Sequence, residues 1–238
     1  MISFFHAVFF RPLYNGFIFL MDILPWLDAG VIVVIFTVIV KFILYPLSRR
    51  AAISQIEMKT IEPELRVIKE KYKDNKEEQA RRTMALYKEK KVNPFAGIVV
   101  ILIQLPIIFA LYFVFIKTGL PDVNRELLYF FVKIPENINM DFLGILNITD
   151  KSIILALLAG ITSYIQIKAV LPAHKESGEK KSFQSDLAKS MNMQMRYVMP
   201  VITFLISYQI SGVVALYWFT SNVFAIFQDR FLRRHRQA

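Results

Sequence analysis

Val31-Ile-Val-Val-Ile-Phe-Thr37-Val-Ile-Val-Lys41-Phe-Ile-Leu-Tyr45-Pro46-Leu47 is an apolar run of membrane length with a single cation inside it. A lysine at that depth costs roughly 2.5–3.5 kcal/mol on insertion scales. Such a residue is retained where it faces a partner or water, so the surroundings of Lys41 decide what the chain does. No acidic residue lies within any apolar run to pair with it; Asp22, Asp28 and Asp229 stand at the edges. Snorkelling to the interface is the bland reading. Arg49, where the charged flank begins, is eight residues away, about 12 Å along a helix, and a lysine stem does not close that gap. The expectation is a hydrated cavity open toward the charged flank and lined by polar side chains.

The rest of the chain fits a membrane setting. Of 238 residues, 55% are hydrophobic and 21 are Phe, while Lys and Arg outnumber Asp and Glu by 29 to 19. Nucleic acid could account for the charge but not for the apolar runs. The absence of cysteine excludes disulfides, thiolate metal sites and a lipoprotein anchor. Five segments are predicted to cross a bilayer, at 29–48, 95–116, 153–170, 197–211 and 213–231, with a tight Ser211-Gly212 turn joining the last two. The fold class is therefore all-α and polytopic. Residues 1–28 hold Arg11 and Asn15 beside Phe9, Phe10, Phe17 and Phe19, which suits an amphipathic helix lying along the interface rather than a cleaved signal.

Orientation follows from the basic loops. The segments 49–93, 171–196 with Lys168 just before it, and the tail 232–238 with Arg230 carry 23 of the 29 basic residues, and five spans put all three on one side. The N-terminus is then outside and the C-terminus cytoplasmic. In 49–93, Ile53, Ile56, Ile61, Leu65, Ile68 and Tyr72 recur at helical spacing, Asp74-Asn75 breaks the pattern, and Ala80, Met84 and Tyr87 resume it. This predicts a cytoplasmic helical hairpin whose first arm bends at Pro63. Its contact residues would include Arg66, Lys71, Lys73, Arg81 and Arg82; an excess of basic residues suits anionic lipid or ribosomal RNA, and equally a solvated surface with no partner. In the outer loop 117–152, Leu127, Leu128, Phe130, Phe131, Val132 and Ile134 predict a short helix resting on the membrane.

Thr37, Lys41, Tyr45 and Ser48 fall on one face of an uninterrupted helix. Gln104, Thr162, Ser163, Gln166, Thr203, Ser207, Trp218, Ser221, Asn222 and Gln228 supply polar groups on other spans. Each taken singly is ordinary interhelical glue. Catalysis is not expected. There is no nucleotide-binding Gly-x-x-x-x-Gly-Lys loop, and His6, His174 and His235 all lie outside the spans. No cofactor, metal or small-molecule substrate is expected. The alternative to a handling site for polypeptides is a small transporter or channel in which Lys41 binds an anion or relays a proton; it would be favoured by inverted repeats, and none is visible.

Lys41-Phe-Ile-Leu-Tyr-Pro46-Leu47, Met58-Lys59-Thr-Ile-Glu-Pro63-Glu64-Leu65, Asn93-Pro94-Phe95-Ala-Gly97, Gln104-Leu-Pro106-Ile107 and Leu216-Tyr217-Trp218 followed by Asn222 occur in an order and spacing that resembles the YidC membrane protein insertase family of the Oxa/Alb superfamily. The resemblance runs along essentially the whole chain and is closest to the short form without a large extracytoplasmic domain. It implies a bacterial cell-membrane location and a groove open to the cytoplasm and to lipid but closed outside. Lys41 would take the position of the groove cation, usually arginine in bacterial members, with Gln166 and Trp218 lining the groove. It also implies nascent membrane proteins and the bilayer as partners, with the ribosome and the Sec translocon as further candidates.

Overall fold

The computed structural model describes residues 6–93, 96–117, 120, 122–170 and 193–237. Among these residues the chain is almost entirely helical. A π-turn at His6–Phe10 leads into α1 (Arg11–Ile23), followed by α2 (Ala29–Ile43), α3 (Tyr45–Thr60), α4 (Glu62–Lys71), α5 (Lys76–Glu89), α6 (Ala96–Tyr112), α7 (Ile153–Val170), α8 (Met199–Ile210) and α9 (Gly212–Gln237). Most of the loop expected at 171–196 lies outside the described residues, as does Pro94-Phe95 of the Asn93–Gly97 motif.

The first expected span is not one straight helix. It breaks at Leu44, where α2 and α3 meet at 67°. Pro46 is the cause. It has no N–H to give the Phe42 carbonyl, and its ring crowds that carbonyl. The Leu47 and Ser48 amides restart the ladder on the Leu44 carbonyl, at 3.1 and 2.9 Å. Tyr45 and Ser48 therefore do not continue the Thr37–Lys41 face along one axis. Among the described residues no single helix is long and apolar enough to cross a membrane; Ala29–Ile43 with Tyr45–Met58 meets that requirement only as a bent pair.

The core joins α1, α2, α6 and α9. Tyr14, Phe17 and Ile18 meet Ile32, Val33 and Phe36, with Leu111 and Val114 on one side and Val213, Leu216 and Tyr217 on the other. Phe17 stacks edge-on against both Phe36 and Phe115, with centroids 5.7 and 5.1 Å apart. Outside this core the helices are greasy where a water-soluble protein would be polar. Phe42, Ile43, Ile154, Ile161, Val201 and Phe227 are all more than half exposed. Apolar surface that extensive marks a face covered by something other than water.

The outer loop does not contain the helix expected over 127–134. Only a single 3₁₀ turn forms, at Arg125–Leu127. The reason lies in α1, whose polar side chains hold this stretch through its backbone. Asn15, nearly fully buried, donates to the Leu127 carbonyl at 2.9 Å and accepts from the Tyr129 amide at 2.6 Å. The Tyr14 hydroxyl accepts from the Asn124 amide at 2.9 Å, and Arg11 donates to the Leu127 carbonyl at 3.1 Å. The Leu127 carbonyl, which a helix beginning there would offer to the amide four residues on, is committed to Asn15 and Arg11 instead. Further on, a two-stranded hairpin pairs β1 (Asp141–Phe142) with β2 (Leu146–Asn147), antiparallel. It fastens the starts of α2 and α9. The Ala29 amide donates to the Asn139 carbonyl, and the Gly212 and Val213 amides donate to the Asp150 and Ile148 carbonyls, all within 2.8 Å. Asp28 caps α2 through the Val31 amide and also accepts from the Leu143 amide.

Between α3 and α6 the chain turns twice. It breaks at Ile61, and Pro63 occupies the first turn of α4, where a missing N–H costs nothing. The first arm is thus two helices rather than one bent helix. Asn75 caps α5 through the Glu78 amide at 3.0 Å. Glu64 meets Lys90 at 3.0 Å, and Gln79 donates to the Lys69 carbonyl at 2.9 Å, so α4 and α5 run antiparallel. Ile61, Leu65, Leu86 and Val92 form their own small core. α5 ends in a Schellman motif. The Val92 amide reaches back to the Tyr87 carbonyl and the Lys91 amide to the Lys88 carbonyl. Lys91 sits at φ 55° to allow it, a conformation that glycine adopts more cheaply. Relief of roughly 1–2 kcal/mol of left-handed strain, less roughly 0.5–1 kcal/mol of extra glycine entropy, makes Lys91→Gly stabilising. Slower amide exchange over Leu86–Val92 in the variant is the expected result; faster exchange there would contradict this account of the cap.

Candidate functional site

Lys41 lies in the last turn of α2 and is half-buried. Its ammonium donates to the Gln104 side-chain carbonyl on α6 at 3.2 Å. The Gln104 amide group in turn points at the Ser221 hydroxyl on α9, 3.5 Å away. Three helices thus contribute to one polar chain. The amide orientation is dictated by charge, because its NH2 end would repel an ammonium. One partner leaves an ammonium with two N–H donors to satisfy. Among the described residues no carboxylate lies within 4 Å of it.

Burial along α2 is graded. Val33 is completely enclosed and Thr37 is 1% exposed, while Lys41, one turn further, reaches the surface in part. Thr37 spends its hydroxyl proton on the Val33 carbonyl at 2.6 Å. Beyond Thr37 in the other direction lies the aromatic core, so burial around the polar chain deepens toward the start of α2 and lessens at Lys41.

Tyr217 was not singled out from the sequence as a member of this cluster. It stands one turn before Ser221 on the same face of α9, which is the only signal that could have found it. Its side chain is 1% exposed, with the hydroxyl directed toward Ser221 and Gln104. Among the described residues that hydroxyl makes no hydrogen bond of good geometry, although Ser221 and Gln104 stand close to it. A buried phenol without such a bond beside an amide, a hydroxyl and an incompletely satisfied ammonium is a place for water.

Other predicted positions lie elsewhere. The Asn222 amide donates to the Ala159 carbonyl and the Thr162 hydroxyl at 3.2 and 3.3 Å, fastening α9 to α7. Gln166 lies one turn beyond Thr162 on α7, partly exposed, and is not joined to the Lys41 chain. Trp218 is partly buried and packs against the main core. Tyr45 opens α3 beyond the kink, and its carbonyl accepts from Ser48, whose oxygen accepts from Gln228 at 3.1 Å. At the far end of the bundle, Arg233 pairs with Asp229 at 2.7 Å and donates to the Ala169 carbonyl, closing the C-terminal end of α7.

On α4 and α5, most of the predicted contact cations already have partners. Arg66 pairs with Glu62, and Arg81 and Arg82 share Glu78 at 2.8 Å each. Lys71 and Arg82 lie over the Tyr72 ring, while Lys73 is exposed. Hydrogen bonds from Arg81 and then Arg82 hold the Glu78 carboxyl down at about 2. A depressed carboxylate contributes stability above its ordinary value of 4.5 and loses it as pH falls through the folded value. Order in α5 should therefore stay constant from pH 7 to about 5 and decline between about 4.5 and 2. A Glu78 carboxyl titrating by NMR at its ordinary value of 4.5 would contradict this.

Residues 20–238 match the family model described as 60Kd inner membrane protein. A membrane protein insertase YidC of Fusobacterium nucleatum is 34% identical over 207 residues, 87% of each chain. One from Clostridium perfringens is 33% identical over 220 residues, covering 92% of this chain and 84% of the relative. One from Francisella philomiragia is 31% identical over 210 residues, covering 88% of this chain but 33% of that longer relative. A match over nearly the full length of this chain and of two of these relatives leaves one conclusion: the chain belongs to the 60Kd inner membrane protein family, alongside the YidC insertases.

Proposed function

We propose that this protein is a membrane protein insertase that receives nascent membrane proteins at the Lys41–Gln104–Ser221 chain and releases their apolar helices into the bilayer. The observation that carries this reading is the Lys41 ammonium, half-buried in an apolar helix and matched by a neutral amide rather than a carboxylate. An unneutralised cation is a receptor for incoming negative charge. A polar or acidic stretch of a nascent chain would meet there a positive charge, an amide, hydroxyls and water. Each reduces the cost of taking that stretch out of bulk solvent. The apolar helix that follows would move along the exposed Val, Ile and Phe side chains of the bundle and partition into lipid, driven by burial of its own surface. No covalent step is required.

In this reading α2 with the start of α3, then α6, α7, α8 and α9 are the five membrane crossings. α1 lies at the outer interface, and α4 and α5 project into the cytoplasm. The polar chain then opens inward and the aromatic core closes it outward. Gln166 and Trp218 would border the path of the substrate rather than contact the cation. α4 and α5 would offer Lys73 and the cationic face of Tyr72 to a partner at the cytoplasmic surface, ribosome or translocon included.

The test is insertion in proteoliposomes. A single-span substrate with an acidic translocated segment and its counterpart with that segment neutralised are presented to wild-type protein and to Gln104→Ala. Loss confined to the acidic substrate supports the assignment. Equal insertion of both by wild type and variant would remove the polar chain from the mechanism. Ion flux through substrate-free protein that depends on Lys41 would instead indicate a transporter.

A further inference from the structure

A recess lined by both apolar and charged side chains lies away from Lys41 and shares none of its residues. It is a cleft of about 400 Å³ between α3 and the connection from α5 into α6. Arg50, Ser54 and Glu57 line it from α3, Lys91 and Asn93 from the α5–α6 connection, and Leu47, Ala51 and Ile53 supply its apolar surface. The volume falls in the range of small-molecule sites.

Its walls are fixed before any ligand arrives. The Asn93 amide donates to the Ser54 hydroxyl oxygen at 3.0 Å, and that hydroxyl donates to the Asn93 carbonyl at 3.1 Å. Lys91 is held at φ 55° by the Schellman motif, with Val92 anchored beside it at 6% exposure. Arg50 and Lys91 both line the cleft, and among the described residues neither has a carboxylate within 4 Å. Two cations against the single carboxylate of Glu57 leave the cleft with one net positive charge. Leu47, 44% exposed, ends the apolar run, and Ser48-Arg49-Arg50 begins the charged flank.

We infer that this cleft binds the phosphodiester headgroup of an anionic phospholipid. A phosphodiester carries one negative charge and acceptor oxygens for both a guanidinium fork and an ammonium. The acyl chains would leave past Leu47. A basic recess at the boundary of an apolar helix is the setting in which such headgroups are recognised. The inference rests on the proposed orientation only for the choice of the inner leaflet. One consequence is that a bound lipid would bridge α3 to the α5–α6 connection and so brace α4 and α5 against the bundle.

Full-length protein in neutral detergent micelles, titrated with fluorescent phosphatidylglycerol and separately with phosphatidylcholine, tests this directly. Saturable binding of phosphatidylglycerol well above that of phosphatidylcholine is expected. Arg50→Gln and Lys91→Gly should each weaken it by roughly fivefold, with phosphatidylcholine unaffected. Lys91→Gly removes the charge while relaxing the backbone, so its loss of binding cannot be assigned to misfolding. Lys41→Ala should leave lipid binding unchanged, which separates failure of this inference from failure of the insertase reading. Undiminished phosphatidylglycerol binding by the double variant would overturn the inference. Equal binding of the two lipids would do the same. Displacement of the lipid by equimolar inorganic phosphate would identify a free-anion site instead and overturn the lipid assignment.

Discussion

Lys41→Ala is expected to lower insertion of a substrate with an acidic translocated segment by tenfold or more, while Lys41→Arg retains most of it. A hydrogen bond to a charged group is worth roughly 1.5–3 kcal/mol net, and each 1.4 kcal/mol is a factor of about ten. The alanine variant loses that interaction and also the water that the ammonium recruits. Gln104 then faces Ser221 alone. The arginine variant keeps the charge and adds a planar fork that can hold Gln104 and a substrate carboxylate together. Stability should move the other way. Alanine removes a cation from an apolar helix, so Lys41→Ala should unfold no earlier than wild type. Function lost with stability unchanged or raised would mark Lys41 as a residue kept for its work. Acidic-substrate insertion at the wild-type level by the alanine variant, with equal protein in the vesicles, would return the lysine to a snorkelling role.

The second large effect is expected at a glycine far from that site. A Cβ on Gly30 would stand 2.3 Å from Cδ2 and 2.8 Å from Cβ of Phe142. The ring cannot simply swing aside, because its own Cβ is part of the clash. Phe142 sits in β1, paired with Leu146, and the neighbouring Leu143 amide is bound to Asp28. Accommodating a methyl group means lifting the outer hairpin from α2 and straining the Ala29–Asn139 bond of 2.7 Å. Glycine to alanine in a helix ordinarily gains roughly 0.5–1 kcal/mol. Overpacking of a fixed contact costs roughly 1–3 kcal/mol, and overlap this deep belongs at the upper end. Gly30→Ala should therefore lower the thermal midpoint in detergent by about 5–10 °C, taking roughly 2–4 °C per kcal/mol for a chain of this size. The same hairpin buttresses Gly212 at the start of α9, where a Cβ would lie 3.0 Å from the Ile148 carbonyl. An unchanged or raised midpoint for Gly30→Ala would show that the hairpin does not clamp the outer end.

Family membership and much of the helical order were legible without coordinates. Apolar runs and basic loops are one-dimensional signals, because a bilayer imposes its thickness on any segment that crosses it and its charge asymmetry on the loops between. Lys41 stood out for the same reason: its cost does not depend on what packs around it. Gln104 and Ser221 could be named as polar residues on spans but not as partners of Lys41, since their chain positions say nothing of which helices meet. Tyr217 was hidden inside an aromatic motif that reads as core. The kink at Leu44 was signalled by Pro46, yet continuous hydrophobicity through Leu47 made the segment read as one rod. The outer loop misled most. Its apolar residues at 127–134 have helical character, but Arg11, Tyr14 and Asn15, more than a hundred residues earlier, take the backbone groups that a helix would need.

From its own order of residues the chain determined that it is a helical membrane protein of the insertase family with a cation in an apolar helix. Those features follow from local hydropathy, charge and proline chemistry, which act along the chain wherever it folds. Tertiary structure decided that the cation meets an amide instead of a carboxylate, that Asn222 serves α7 and not the polar chain, and that Arg50 and Lys91 share a cleft. Each of these is a matter of which distant segments come together, and packing alone settles that.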